Sequence, residues 1–468
     1  MNVVKANPKC IWMLFMLLIP LSMKGQSIEN WISLPKKKQM FQKYPNLAWD
    51  TRNISRQTNP INLNPQGLDQ TVDGFGYTLT GGSAHLIQAL DSQTKRELLQ
   101  ELFGNKLNQV GISVLRISIG ASDMDEKVFS YDDVPMGKED LTLENFSLHE
   151  DKKALIPLLI EILSINPKIK IFATPWSPPT WMKDNHETKG GKLQPTYYEV
   201  YARYFIRYIQ EMKKLGINIH AVTPQNEPLH PGNNPSLSMS AEEQMVFIRD
   251  FLGPQFQKNR ISTKIICYDH NCDKPEYPIT ILNDPQARKY VDGSAFHLYN
   301  GDISALAQVR TKHPDKNLYF TEQWTGVKGD FYGDFMWHIK NVVIGSMNQG
   351  AKTALEWNLA NDQNLGPHSP GGCTECLGAI TLSQGIQRNV AYYIIAQASS
   401  FIPAGSKRIK LNQSPNLPMV AFLRPDKKIC LLVQNEGPEK QKIPIQYLNK
   451  TVELEIPGSS VSTFIFKL

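Results

Sequence analysis

Ile219-His220-Ala221-Val222-Thr223-Pro224-Gln225-Asn226-Glu227-Pro228 runs from a short apolar segment into a polar turn that sets an Asn beside a Glu. The apolar part is short, and it reads as a strand whose end begins to face a ligand; strands of a parallel barrel end this way at their C-terminal mouth. A second run, Leu318-Tyr319-Phe320-Thr321-Glu322-Gln323-Trp324, is also strand-like and ends in Glu322. Two carboxyl groups on two strand ends point to paired acid/base and nucleophile work on a glycoside.

Working outward from these runs, short β-rich segments alternate with amphipathic ones through the middle of the chain. Strands are expected at 72–77, 114–119, 170–174, 221–224, 264–269, 293–297, 317–321 and 353–357, with helices between them, for example at 92–110, 151–166, 196–215, 241–252 and 333–349. Eight alternations predict an α/β (β/α)8 TIM barrel over residues 70–404, with Glu227 ending the fourth strand and Glu322 the seventh. Past Ala404-Gly405-Ser406 the pattern changes to short alternating runs broken by turn clusters such as Pro425-Asp426-Lys427. Residues 405–468 therefore read as a small antiparallel β-sandwich.

At 468 residues, 41% hydrophobic and 20% charged, the chain exceeds the length that one core usually serves, and one large and one small domain are expected. The N-terminal segment has basic Lys5 and Lys9, an apolar run from Ile11 to Leu21, and then Ser22-Met23-Lys24-Gly25. That run is short for a bilayer span and reads as a secretory signal over 1–25, which makes the mature protein secreted, periplasmic or cell-surface and leaves no membrane span. Its removal takes three lysines and lowers the formal net charge from +6 to about +3, so nothing argues for a nucleic-acid partner. Of six cysteines, Cys10 leaves with the signal. Cys373-Thr374-Glu375-Cys376 reads as a local disulfide, as free thiols or, together with Cys267 and Cys272, as zinc ligands. Sequons stand at Asn53, Asn145, Asn412 and Asn449.

The motifs resemble, in order, those of glycoside hydrolase family 30, the glucosylceramidase and endo-β-1,6-glucanase family. Asp73-Gly74-Phe75-Gly76 with Gly81-Gly82-Ser83-Ala84, Leu115-Arg116-Ile117-Ser118 with Ser122-Asp123, and Thr174-Pro175-Trp176-Ser177-Pro178-Pro179-Thr180-Trp181 look like its first three strands and loops. Asn226-Glu227-Pro228, Phe296-His297-Leu298-Tyr299, Thr321-Glu322 and Glu356-Trp357-Asn358 follow. The resemblance implies that residues 26–69 supply strands to the C-terminal sandwich. It also implies that Glu322 is the nucleophile and Glu227 the acid/base of a retaining mechanism, with Glu227 protonated and Glu322 ionised.

By the same resemblance Arg116 supports the nucleophile as a positive charge and Tyr299 as a hydrogen-bond donor, while Asn226 binds the sugar 2-hydroxyl. Asp123, Trp176 and Trp357 line the glycone subsite, and His297 either joins the site or supports a strand end. Trp324, Trp181 and His230 are placed toward the leaving group, with Trp324 as a stacking platform at +1. Two carboxylates suffice for the reaction, so no metal or cofactor is expected. The expected partner is a β-glucan or other β-glucoside, most of all β-1,6-glucan. Glucosylceramide, and with it sphingolipid metabolism, is the alternative, and a non-catalytic glycan-binding barrel a remote one.

Overall fold

A computed structural model describes residues 27–50, 59–106, 108–412, 414 and 416–467. The expected signal segment 1–25 and the sequon at Asn53 lie outside the described residues.

Eight parallel strands close into a barrel: β1 (Gly74–Thr78), β2 (Val114–Ser118), β3 (Lys170–Thr174), β4 (Ile219–Val222), β5 (Lys264–Cys272), β6 (Val291–Gly301), β7 (Asn317–Glu322) and β8 (Ala351–Asn358). Each pairs in parallel with the next, and β8 pairs with β1. Inside, Val114, Phe172, Ala221, Ile266, Ala295, Tyr319 and Leu355 form one apolar layer drawn from β2 through β8. The outward faces pack on helices, so the strands are buried on both sides, which is why they read as apolar runs rather than as alternation. Helix boundaries differ from expectation where local chemistry intervenes. The helix that starts at Ser92, capped by the Asp91 carboxylate, ends at Phe103 before Gly104, and the stretches from Ala241 and from Phe331 each contain a wider π turn, at Phe247–Leu252 and Ile339–Gly345.

The base of the barrel is plugged by charge. Asp73, just before β1, accepts from Lys170 at 2.7 Å and lies 3.7 Å from Lys352 and 4.0 Å from His220, residues at or near the starts of β3, β8 and β4. Asp292, at the start of β6, accepts from Tyr319 Oη at 2.6 Å and pairs with Lys264 at 3.0 Å.

The sandwich is built from both ends of the described chain. Its seven-stranded sheet runs Gln39–Ala48, Ser27–Leu34, Ser460–Phe466, Ile429–Asn435, Met419–Leu423, Lys407–Ile409, Leu68–Thr71. The opposing sheet runs Lys450–Ile456, Gln441–Tyr447, Ile61–Asn62. Alternation divides the larger sheet between two cores: Ile429, Leu431 and Val433 face the sandwich, while Cys430 and Leu432 join the core of the barrel.

Candidate active site

The C-terminal ends of the strands converge on a buried polar hub. Asp269 on β5 is fully buried and accepts hydrogen bonds from Arg116 (2.9 Å), Thr174 (3.0 Å), Thr223 (2.8 Å) and Thr321 (2.7 Å), with His297 Nε2 at 3.1 Å. Burial opposes its charge, but Arg116 and the His297 hydrogen bond hold the Asp269 carboxyl well below the usual carboxylate range. This residue orients two side chains that reach the mouth. Arg116 donates to Glu322 Oε2 at 2.5 Å and to Asn226 Oδ1 at 2.7 Å. His297 turns Nδ1 toward Glu227 Oε1 at 3.2 Å and lies 3.7 Å from Glu322 Oε1. Tyr299 Oη donates to Glu322 Oε1 at 2.8 Å. Arg116, Asn226, Glu227, His297, Tyr299 and Glu322 therefore form one hydrogen-bonded cluster.

One oxygen of Glu227 and one of Glu322 lie within 4.8 Å of each other. That is the short carboxylate separation of retaining glycosidases, about 5–5.5 Å, rather than the ~6.5–9.5 Å that leaves room for a water in inverting ones. Burial works against a charge on His297, but the Glu322 charge and hydrogen bonds to Asp269 and Glu227 outweigh it and raise the imidazole to about 9. Burial also raises Glu227, yet the His297 hydrogen bond and charge leave it below its ordinary value. Glu322 stays above its ordinary value, through burial and, despite His297 and Arg116, the Glu227 charge. The two carboxyls are thus shifted apart, in the sense opposite to that expected from the reaction, with the His297 cation and its hydrogen bond favouring charge on Glu227.

Beside this cluster, Trp176 and Trp357 lie 5.4 Å apart between centroids at 35°, and the Arg116 guanidinium sits 4.9 Å from the Trp176 ring centre. Asp123 is buried beside them. Burial, then the charges of Glu322 and Glu227, push its carboxyl up to about 7, and the Cys373 backbone N–H donates to it at 3.3 Å. Cys373 and Cys376 form a disulfide, while Cys267, Cys272 and Cys430 are buried thiols. The four-cysteine zinc site is therefore excluded, since two of its thiolates are consumed. The disulfide loop pairs antiparallel with the segment after β7, Thr325 opposite Leu377 and Gly326 opposite Cys376.

One expectation for the leaving-group side, that for Trp181, is corrected. Trp324 packs against the Met124, Trp176, Trp357 and Cys376 cluster, with Cys373 beside it, and stays partly exposed. Trp181 is core: 5% exposed, its indole N–H donates to the Asp132 carbonyl at 2.9 Å and its ring meets Tyr197 edge-on. His230 is exposed, on the turn whose N–H donates to the Glu227 carbonyl.

Glu227, His297 and Glu322 also present three ligand atoms within 4.8 Å of one another. The set fits a metal poorly, because both His297 nitrogens face carboxylates, the ring is held protonated, and the Arg116 cation already bonds Glu322.

A parallel barrel that carries two close carboxylates at its C-terminal mouth has the architecture of a glycoside hydrolase. Residues 72–402 match the glycosyl hydrolase family 30 TIM-barrel domain, and residues 405–464 match that family's beta sandwich domain. The chain is 33% identical over 399 residues to the endo-1,6-beta-D-glucanase neg1 of Aspergillus fumigatus, covering 79% of each protein. It is 29% identical to the lysosomal acid glucosylceramidase of Mus musculus over 87% of this chain and 83% of that one. The solved endo-beta1,6-glucanase BT3312 superposes with a TM-score of 0.86 at 33% identity, over 94% of this chain and 100% of that one. The chain belongs to glycosyl hydrolase family 30 and is a glycosidase.

Sequence reasoning missed Asp269 and His270. Their signal was available: the apolar run 265–268 ends in Asp-His-Asn, as the run before Glu227 ends in a polar turn.

Proposed function

We propose that the protein hydrolyses β-1,6-glucan with retention of anomeric configuration, Glu322 attacking and Glu227 serving first as acid and then as base. The short Glu227–Glu322 separation carries this reading, since it leaves no place for a water between nucleophile and sugar. In the first step a Glu322 oxygen bonds to the anomeric carbon as the glycosidic oxygen leaves with a proton from Glu227. In the second, Glu227 takes a proton from water, whose oxygen displaces Glu322. His297 Nδ1, hydrogen-bonded to Glu227, supplies the acid form: transfer of its proton to Glu227 leaves a neutral imidazole, a neutral acid and an ionised Glu322 with no change in total charge. Arg116 and Tyr299 stabilise that Glu322 anion, and the Asn226 amide, oriented by Arg116, takes the 2-hydroxyl. Asp123, Trp176 and Trp357 bind the glycone.

The relatives named as endo-1,6-β-glucanases support the linkage; the mouse glucosylceramidase keeps glucosylceramide as the second reading. Export fits the N-terminal basic-then-apolar segment and the Cys373–Cys376 disulfide, a bond that persists in oxidising compartments. Among the described residues no helix is long and apolar enough to cross a membrane. The deciding experiment compares products from pustulan, laminarin and glucosylceramide, with NMR of the first anomer released. Cleavage of glucosylceramide but not pustulan would transfer the assignment to the lipid, and an inverted anomer would end the double-displacement reading.

A further inference from the structure

The Glu227 carboxyl has a further neighbour on β5. In β5, Tyr268 pairs with Ala295 and His270 with Phe296, so Asp269 is an extra residue in the ladder. Tyr268 and Asp269 both take the left-handed backbone conformation, with φ of 77° and 69°, which is costly for non-glycine residues. The bulge is braced by Gln244 Oε1, which accepts from the Tyr268 N–H at 2.8 Å, and by the Asp269 carbonyl, which accepts from the Glu227 N–H at 3.0 Å. Consecutive strand residues normally face opposite ways. Here Asp269 enters the hub while His270 also approaches the mouth, with Nδ1 3.8 Å from Glu227 Oε1.

His270 is 6% exposed, and its Nδ1 is buried without a hydrogen-bond partner. Buried polar atoms are seldom left unpaired, and one beside an acid/base carboxyl calls for a ligand atom. Burial, helped by the charges of His297 from β6 and His230 from the β4 turn, lowers the ring to about 4 against the opposing pull of Glu227 from the end of β4 and Asp273 from the end of β5. A neutral imidazole with a free Nδ1 suits an uncharged hydroxyl.

We infer that His270 forms the +1 subsite, its Nδ1 taking a hydrogen bond from a hydroxyl of the leaving-group sugar as Glu227 protonates the glycosidic oxygen. This rests on the glucan reading above and adds the chemistry of the aglycone to it: a hydroxylated sugar, gripped next to the bond that breaks. An aryl leaving group has no such hydroxyl to offer.

The test compares gentiotriose with 2,4-dinitrophenyl β-glucoside on His270→Ala, His270→Phe and His270→Asn. Phe keeps the ring volume without the nitrogen; the Asn amide reaches the Nδ1 position. Loss of one hydrogen bond to substrate should lower kcat/KM on gentiotriose roughly tenfold in the Ala and Phe variants while the aryl glucoside changes less than about twofold, and Asn should restore most of the loss. Equal losses on both substrates would mean that His270 acts only through Glu227 or the fold, and a Phe variant equal to wild type on gentiotriose would likewise overturn the assignment. Wild type that cleaves neither gentiotriose nor pustulan removes the glucan reading and this inference together, whereas active wild type with a silent Phe variant removes the inference alone.

Discussion

The barrel buries charge at both ends, with opposite balance. At the base Lys170, Lys264 and Lys352 surround Asp73 and Asp292, and His220 among them is lowered to about 4, by burial first and then by the Lys170 charge. At the mouth the carboxyls of Asp123, Glu227, Asp269 and Glu322 outnumber the cations Arg116 and His297, and His297 is raised to about 9 against its burial. Burial pushes both imidazoles the same way, so the sign of the neighbours decides the difference. The base pairs its carboxylates and becomes a fixed plug. The mouth crowds more carboxyls than cations around one point, which is a preorganised environment for the positive, oxocarbenium-like state that glycoside cleavage passes through.

The contrast breaks hardest at the nucleophile. Glu322→Gln should lower turnover on every substrate on the order of 10⁴-fold or more, whereas Glu227→Gln should spare the first step with dinitrophenyl glucoside, whose leaving group needs no proton. Azide should rescue only the Glu227 variant; rescue of Glu322→Gln with retained configuration would reverse the two roles.

At the base the same isosteric change should act on stability alone. Asp73→Asn leaves Lys170 and Lys352 without their buried partner, and since Lys170 is partly solvated the cost should be about 2–3 kcal/mol. Denaturant midpoints should fall while kcat stays at the wild-type value; a matching loss of kcat would mean that the two ends are mechanically linked.

The smallest effects sharpen the contrast between the histidines. His220 has a folded pKa of about 4, below its unfolded value, so its protonation opposes folding and wild type should lose stability relative to His220→Gln as pH falls from about 6.5 toward 4. His297 has a folded pKa of about 9, above its unfolded value, so its contribution is complete below about pH 6.5 and disappears as pH rises through 9. Melting curves of wild type against His297→Gln should therefore converge at high pH, and curves that diverge there would refute a charged His297.

The barrel was legible because each strand is an apolar run that ends in a polar turn, and the close pair Glu227 and Glu322 because a carboxylate stands at such an end. The lateral environment was not legible. Periodicity assigns a residue to a strand end but does not reveal a bulge, so Asp269 and His270, which share a mouth only because Tyr268 and Asp269 adopt left-handed backbone, escaped notice. Trp181 and Trp324 follow strands in the same way, and only packing shows that one is core while the other stays partly exposed beside Trp176 and Trp357. The electrostatic setting of the pair was hidden for a related reason: His297 could be placed on β6 from sequence, but not its contact with Glu227.

Strand Ser27–Leu34 lies inside the seven-stranded sheet, between Gln39–Ala48 and Ser460–Phe466. It precedes every barrel strand in the sequence, yet the neighbour it needs, Ser460–Phe466, follows all of them. The barrel can close first, because its pairings lie within a continuous span, while the early hairpin waits with one edge open to pairing with other chains. A chain halted before Ser460 would hold a formed mouth beside a sheet split in two, without the strand that joins the N-terminal hairpin to Ile429–Asn435.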